Sequence, residues 1–187
     1  MGAAELIPGL TVENYLAWEA EQDERYEYVA GCVYAMSGGS INHARIVNNL
    51  VRALDRAVAG GPCDVFSNAT KLRTQALESE LFYYPDIMVS CDPEDNHALY
   101  RERPTILIEV LSPSTRRVDS REKLWTYIAI PSVQEVVLVE QDAAKCVLHT
   151  RSGQWLPQEV VGLEADLLFA SINLAVPLAE VYQRVEW

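Results

Sequence analysis

Glu109 lies inside Thr105-Ile106-Leu107-Ile108-Glu109-Val110-Leu111, a run whose other members nearly all favour burial. An ionised carboxylate in such a place is costly unless it is paired or coordinates a cation. The residues leave two readings open: a structural ion pair with an arginine, or a metal ligand. Pro85-Asp86 interrupts a second apolar run, Phe82 to Val89. Proline within a strand marks an edge or a bulge, where pairing stops and a side chain is re-aimed. A turn-forming Asp after Pro is the plain alternative. If the two strands are neighbours, Asp86 and Glu109 converge near one end of the sheet. Their repulsion is then relieved by a divalent cation. Lys123 follows at the start of the next helix, where its ammonium can point back at the strand end. A solvated helix lysine is the alternative. Arg116, Arg117, Arg121 and Lys123 make a basic cluster in an otherwise acidic chain.

The elements that must position these residues are readable from periodicity. Thr11 to Gln22 predicts a helix with Thr11 as N-cap and Tyr15, Leu16 and Trp18 on its apolar side. Tyr26 to Met36 predicts a hairpin turning at Ala30-Gly31. Ser40 can cap a long helix on which Ile41, Ala44, Val47, Val51, Leu54 and Val58 recur, stopped by Gly60-Gly61. Val65 to Thr74, Leu81 to Cys91 and Thr105 to Leu111 read as strands, the last buried on both faces. A polar loop, Asp92 to Pro104, separates the latter two. A helix from Arg121 to Ala129 ends at Pro131. Gln134 to Glu140 and Lys145 to Thr150 form a hairpin, and Leu178 to Val185 a closing helix. This predicts one α/β domain over residues 1–187, a mixed β-sheet flanked by helices.

The chain has 187 residues, 15 Lys+Arg against 27 Asp+Glu and a net charge of −12. That balance argues against coating nucleic acid or anionic membrane by bulk electrostatics, so a polyanion must be met by a local basic patch or a bound metal. The start, Met1-Gly2-Ala3-Ala4-Glu5-Leu6, carries neither a signal-peptide pattern nor a myristoylation motif. The apolar run Leu167 to Ala179 is too short for a membrane span and contains Pro177. Cys32, Cys63, Cys91 and Cys146 form no CxxC pair, which predicts reduced thiols in a soluble, cytoplasmic protein rather than a zinc site or disulfide scaffold. Gly38-Gly39-Ser40 fits a turn and N-cap better than a phosphate loop. His43, in the first turn of that helix, is an accessory candidate for bonding a carboxylate or phosphate, or a plain capping histidine. His97 and His149 lack metal-ligand spacing. No nucleophile elbow surrounds Ser112 or Ser114.

Pro85-Asp86, Glu109 within an apolar strand and a following lysine resemble the PD-(D/E)XK nuclease superfamily. More closely, Glu109-Val110-Leu111-Ser112-Pro113-Ser114-Thr115, then Asp119, Lys123 and Tyr127, resemble a bacterial branch classed as restriction endonucleases of unknown function. The similarity extends to Tyr26-Glu27-Tyr28, Gly31, His43 and Gln134 to Val139, and so spans about Thr11 to Tyr182. The resemblance implies a restriction-endonuclease-like core, Mg²⁺ or Mn²⁺, and phosphodiester hydrolysis in DNA. Asp86 and Glu109 would hold the metal, Lys123 would orient or polarise water, and Glu27 would be an accessory carboxylate. The superfamily lysine usually stands two residues after the acidic ligand, where this chain has Leu111. Lys71 and Arg73 are therefore reserve candidates. A homodimer, one site per DNA strand, follows from the same resemblance, with exposed aromatics between Tyr182 and Trp187 as contact surface. Two other functions are weighed beside it: a catalytically idle binding module on this fold, and a hydrolase of a small phosphodiester.

Overall fold

Ile106–Leu111 is buried along its whole length, as a strand covered on both faces must be. In this computed structural model, which describes residues 4–7, 10–36, 38–76, 79–111 and 119–187, the elements are these, in chain order. They are β1 (Ala4–Leu6), α1 (Val12–Glu19), β2 (Tyr26–Val29), β3 (Cys32–Ala35), α2 (Ile41–Val58), β4 (Asp64–Ser67) and β5 (Lys71–Ala76). There follow β6 (Ser79–Tyr83), β7 (Ile87–Ser90), β8 (Tyr100–Arg101), β9 (Ile106–Leu111) and α3 (Asp119–Ala129). The last are β10 (Glu135–Glu140), β11 (Lys145–Thr150), β12 (Gln158–Val161), β13 (Asp166–Phe169), β14 (Leu174–Pro177) and α4 (Leu178–Val181). One six-stranded sheet has the order β12-β11-β10-β9-β7-β4, another β1-β3-β2-β6-β5-β8, and β13 pairs β14. The first is mixed: β9 runs parallel to β10 and antiparallel to β7. This is the mixed α/β architecture that the periodicity predicts.

Alternation along β9 decides which side chains meet which helix. Ile106, Ile108 and Val110 pack with Ile87 and Val89 in the core that contains Ile46, Leu50 and Leu54 of α2. Leu107 and Met88 pack in the core that contains Tyr127 of α3. Glu109 shares parity with Leu107 and therefore stands on the α3 side. α2 starts where expected, with Ser40 Oγ accepting the His43 N–H at 3.1 Å. Its stripe is rotated relative to the reading above: Ile46 and Leu50 are fully buried, whereas Ile41 is 73% exposed. Ile41 stands in the helix's first turn.

Several sequence expectations are corrected. Leu81–Cys91 is two strands in two different sheets, β6 and β7, because Tyr84-Pro85-Asp86 carries the chain between them. Val65–Thr74 likewise divides into β4 and β5 around Asn68, whose φ is +42°. The loop 92–104 contains β8, and the closing helix stops at Val181. Tyr182 is buried rather than exposed, because its hydroxyl bonds the Glu140 and Lys145 carbonyls. Cys63 and Cys91 form a disulfide, while Cys32 and Cys146 are free. β4 pairs β7 with Asp64 opposite Ser90, so the next pair outward is Cys63 and Cys91. Among the described residues no helix is long and apolar enough to cross a membrane.

Candidate active site

The antiparallel register of β7 and β9 sets Ile87 opposite Ile108, so Asp86 reaches the position beside Glu109. One Asp86 oxygen, Oδ2, accepts the Val110 N–H at 2.7 Å. The other, Oδ1, lies 3.1 Å from His43 Nε2 at the start of α2. The carboxylate is thus held from the strand and from the helix. Gly39 makes room for this: a Cβ there would come within 2.8 Å of His43 Nδ1, so a side chain would displace the imidazole from Asp86.

Lys123 and Tyr127 stand four residues apart on α3 and so share one face. That face meets Glu109. The Tyr127 hydroxyl donates to Glu109 Oε1 at 2.6 Å, and Lys123 Nζ lies 3.5 Å from the same oxygen. The ammonium is closer to Glu27, at 2.8 Å from Oε1, and that oxygen also accepts the Tyr84 N–H at 3.0 Å. The arginine partner considered for Glu109 is therefore replaced by a shared lysine. Lys123 lies among three carboxylates, those of Glu27, Glu109 and Asp86, which exceeds what one cation can neutralise.

The electrostatics follow from that shortage. Burial raises the Glu109 pKa from 4.5 to about 7; Lys123 opposes the rise, and repulsion from Asp86 and Glu27 adds to it. For Lys123, burial favours the neutral amine, but Glu109, Glu27 and Asp86 outweigh it and hold the ammonium charged far above its ordinary range. The hydrogen bond to Asp86 raises His43 above 6.5, against the effect of burial. Burial, followed by the adjacent Glu109 charge, raises the Tyr127 phenol well above 10.0. Tyr127 is consequently a neutral donor.

Glu27, His43, Asp86, Glu109 and Lys123 line a single cleft of about 610 Å³. All five candidates outside the arginine cluster are therefore brought together. Arg116 and Arg117 lie outside the described residues, and so does the side chain of Arg121 on α3. Ser112 and Ser114 lie there too. The reserve cations are engaged elsewhere: Lys71 Nζ is 2.8 Å from Glu19 Oε2, and Arg73 pairs with Glu80. His149 bonds the Trp155 carbonyl and His97 stacks on Tyr100. The sequence reading gave no role to Tyr127; its four-residue offset from Lys123 was the available signal. It also passed over Tyr84 and Arg25, which carry no local motif.

A family model described as "Uma2: Putative restriction endonuclease" matches residues 12–178. The chain is 33% identical over 182 residues to the uncharacterized protein slr1290 of Synechocystis sp. (strain ATCC 27184 / PCC 6803 / Kazusa), covering 95% of this chain and 93% of that one. It is 31% identical over 170 residues to the uncharacterized protein sll1609 of the same organism, covering 88% and 95%. A crystal structure described as "a putative nuclease belonging to DUF820", from Anabaena variabilis ATCC 29413, superposes with a TM-score of 0.74. That match covers 92% of this chain and 97% of the other at 15% identity, and it concerns the fold.

Proposed function

The chain belongs to the Uma2 family, and from that premise we propose that it is a metal-dependent nuclease that hydrolyses phosphodiester bonds in DNA. The observation that carries the reading is the convergence of Asp86 and Glu109 on one cleft, with Lys123 beside them. The family and the fold are both described in nuclease terms, which supports the same reaction class.

The donor set fits Mg²⁺ or Mn²⁺. Two carboxylates offer hard oxygen ligands, and their mutual repulsion, which adds to burial in raising the Glu109 pKa, is what a cation relieves. Among the described residues no group of three His, Cys, Asp or Glu is gathered for a metal. Asp86 and Glu109 would therefore hold an ion that keeps several waters, as Mg²⁺ does. Such an ion supplies charge neutralisation at the scissile phosphate and lowers the pKa of water. The protein's own groups do the rest. Lys123 steers the attacking water or stabilises negative charge as it develops. Tyr127 and Lys123 fix Glu109, and His43 and the Val110 N–H fix Asp86, leaving lone pairs on each carboxylate for a ligand. Glu27 holds Lys123 in place.

The purified protein should nick supercoiled plasmid in Mg²⁺ or Mn²⁺. Chelation should abolish the nicking, and so should Asp86→Asn at unchanged circular dichroism. Nicking that survives both would overturn the assignment. A catalytically idle module would bind without nicking. A second reading, hydrolysis of a small phosphodiester, is favoured by the acidic cleft wall, to which Asp23 and Glu24 also contribute. Salt separates the two: affinity for DNA should fall steeply as salt rises, whereas affinity for a small substrate should not. A homodimer belongs to the DNA reading, and sedimentation should then show a mass that rises with concentration.

A further inference from the structure

We propose that Arg25 is the residue with which this cleft grips its substrate strand, bonding a phosphodiester oxygen next to Asp86. The inference rests on the nuclease reading above. The cleft is lined by Asp23, Glu24, Glu27, Asp86 and Glu109, a wall that repels a polyanion. Its buried cation, Lys123, is committed to Glu27 and Glu109. Among the described residues that line the cleft, Arg25 is the exposed cation.

Arg25 is also placed by the same segment that places Asp86. Its Nη1 donates to the Asn68 carbonyl at 2.7 Å, and the Asn68 N–H donates to the Asp86 carbonyl at 3.2 Å. Asn68 turns between these two partners with φ +42°, a left-handed conformation that Asn tolerates better than most residues. From a second side, the guanidinium carbon lies 6.0 Å from the centre of the Tyr84 ring, within the range of cation–π attraction. Tyr84 is itself pinned through its N–H to Glu27. Two independent contacts thus index the guanidinium to Tyr84-Pro85-Asp86. The Asn68 bond uses one of five N–H donors, which leaves a planar fork suited to a phosphate.

The test is cleavage of a fluorescein-labelled DNA duplex in Mn²⁺ by wild type, Arg25→Ala and Arg25→Lys. Because Arg25 is exposed, the thermal unfolding midpoints should agree. Arg25→Ala should raise KM about 10- to 100-fold, the loss of one charge-assisted bond, with a smaller change in kcat. Its logarithmic salt dependence should be shallower by about one phosphate contact. Arg25→Lys should restore the salt slope but only part of KM, since an ammonium cannot form the fork. A wild type that cleaves, beside an Arg25→Ala protein with the same KM and salt slope, overturns the role of Arg25 and leaves the nuclease standing. A loss confined to kcat overturns it as well. A wild type that neither binds nor cuts DNA overturns the nuclease reading, and this inference with it.

Discussion

Lys123→Met should lower stability by about 3–5 kcal/mol at about pH 8, the effect of removing one partner from a buried charged group. The methionine keeps most of the volume, so packing contributes little. What is lost is the single cation among Glu27, Glu109 and Asp86, two of which lie within 3.5 Å of its Nζ. The deficit should depend on pH, with a definite sign. Without the ammonium, the Glu109 carboxyl, already raised by burial, rises further above its unfolded pKa. The folded variant then binds protons that the unfolded chain has released, and its stability falls as pH rises through that window. The gap between variant and wild type should therefore shrink towards about pH 5, where protonation removes the repulsion. Lys123 adds to the gap in the opposite way. Its folded pKa is raised, so its contribution is fully present below the unfolded lysine pKa and is lost above it. Urea unfolding of both proteins across this range measures the difference. A deficit independent of pH would mean that Lys123 acts through its methylenes. In the nuclease reading the same variant should also lose about 10²-fold or more in kcat.

That the site could be read from sequence at all depends on how local its signals are. Glu109 announces itself because one charge inside six strand residues has no apolar explanation. Pro85 announces a break because it lacks an N–H and cannot continue a ladder. Ser40 is legible because capping is decided within four residues. The partner of a strand is not local. Nothing in Leu81–Cys91 says that its halves enter different sheets, and nothing around Asn68 says that Val65–Thr74 does the same. Those divisions are settled where β6 pairs with β2, β4 with β7 and β7 with β9, partners far along the sequence. The Cys63–Cys91 bridge escaped for the same reason: it follows from the β4–β7 register, which spacing alone does not reveal. Gly39 shows the other kind of blindness. Its importance is the absence of a Cβ against His43, and an absent atom leaves no pattern. Arg25 sits before a strand with no motif, and its link to Asp86 passes through a backbone carbonyl that belongs to neither residue.

Glu109→Gln should leave the metal-free protein at least as stable as wild type, and should remove most of its response to Mn²⁺. The unfolded chain ionises Glu109 near 4.5, whereas the fold holds the proton to about 7. The folded state therefore binds more protons between these values, and wild-type stability falls as pH rises through them. The cost of the ionised carboxylate is absent below the unfolded pKa and complete above the folded one. At about 1.4 kcal/mol per unit, the penalty reaches roughly 3–4 kcal/mol. A neutral glutamine escapes this penalty while keeping an acceptor for the Tyr127 hydroxyl. Lys123 remains paired with Glu27 at 2.8 Å, so no buried charge is stranded. Thermal unfolding at about pH 8 should place the variant at or above wild type, and the decline between the two pKa values should flatten. The metal supplies a second arm. At a free concentration about 100 times its dissociation constant, Mn²⁺ should stabilise wild type by about 2.7 kcal/mol, and the variant by far less. Gain of stability with loss of metal response and of nicking is the trade-off expected where repulsive groups are retained for chemistry. A large loss of metal-free stability with the Mn²⁺ shift intact would instead make Glu109 a structural anchor for Lys123 and Tyr127, and the metal assignment would fall.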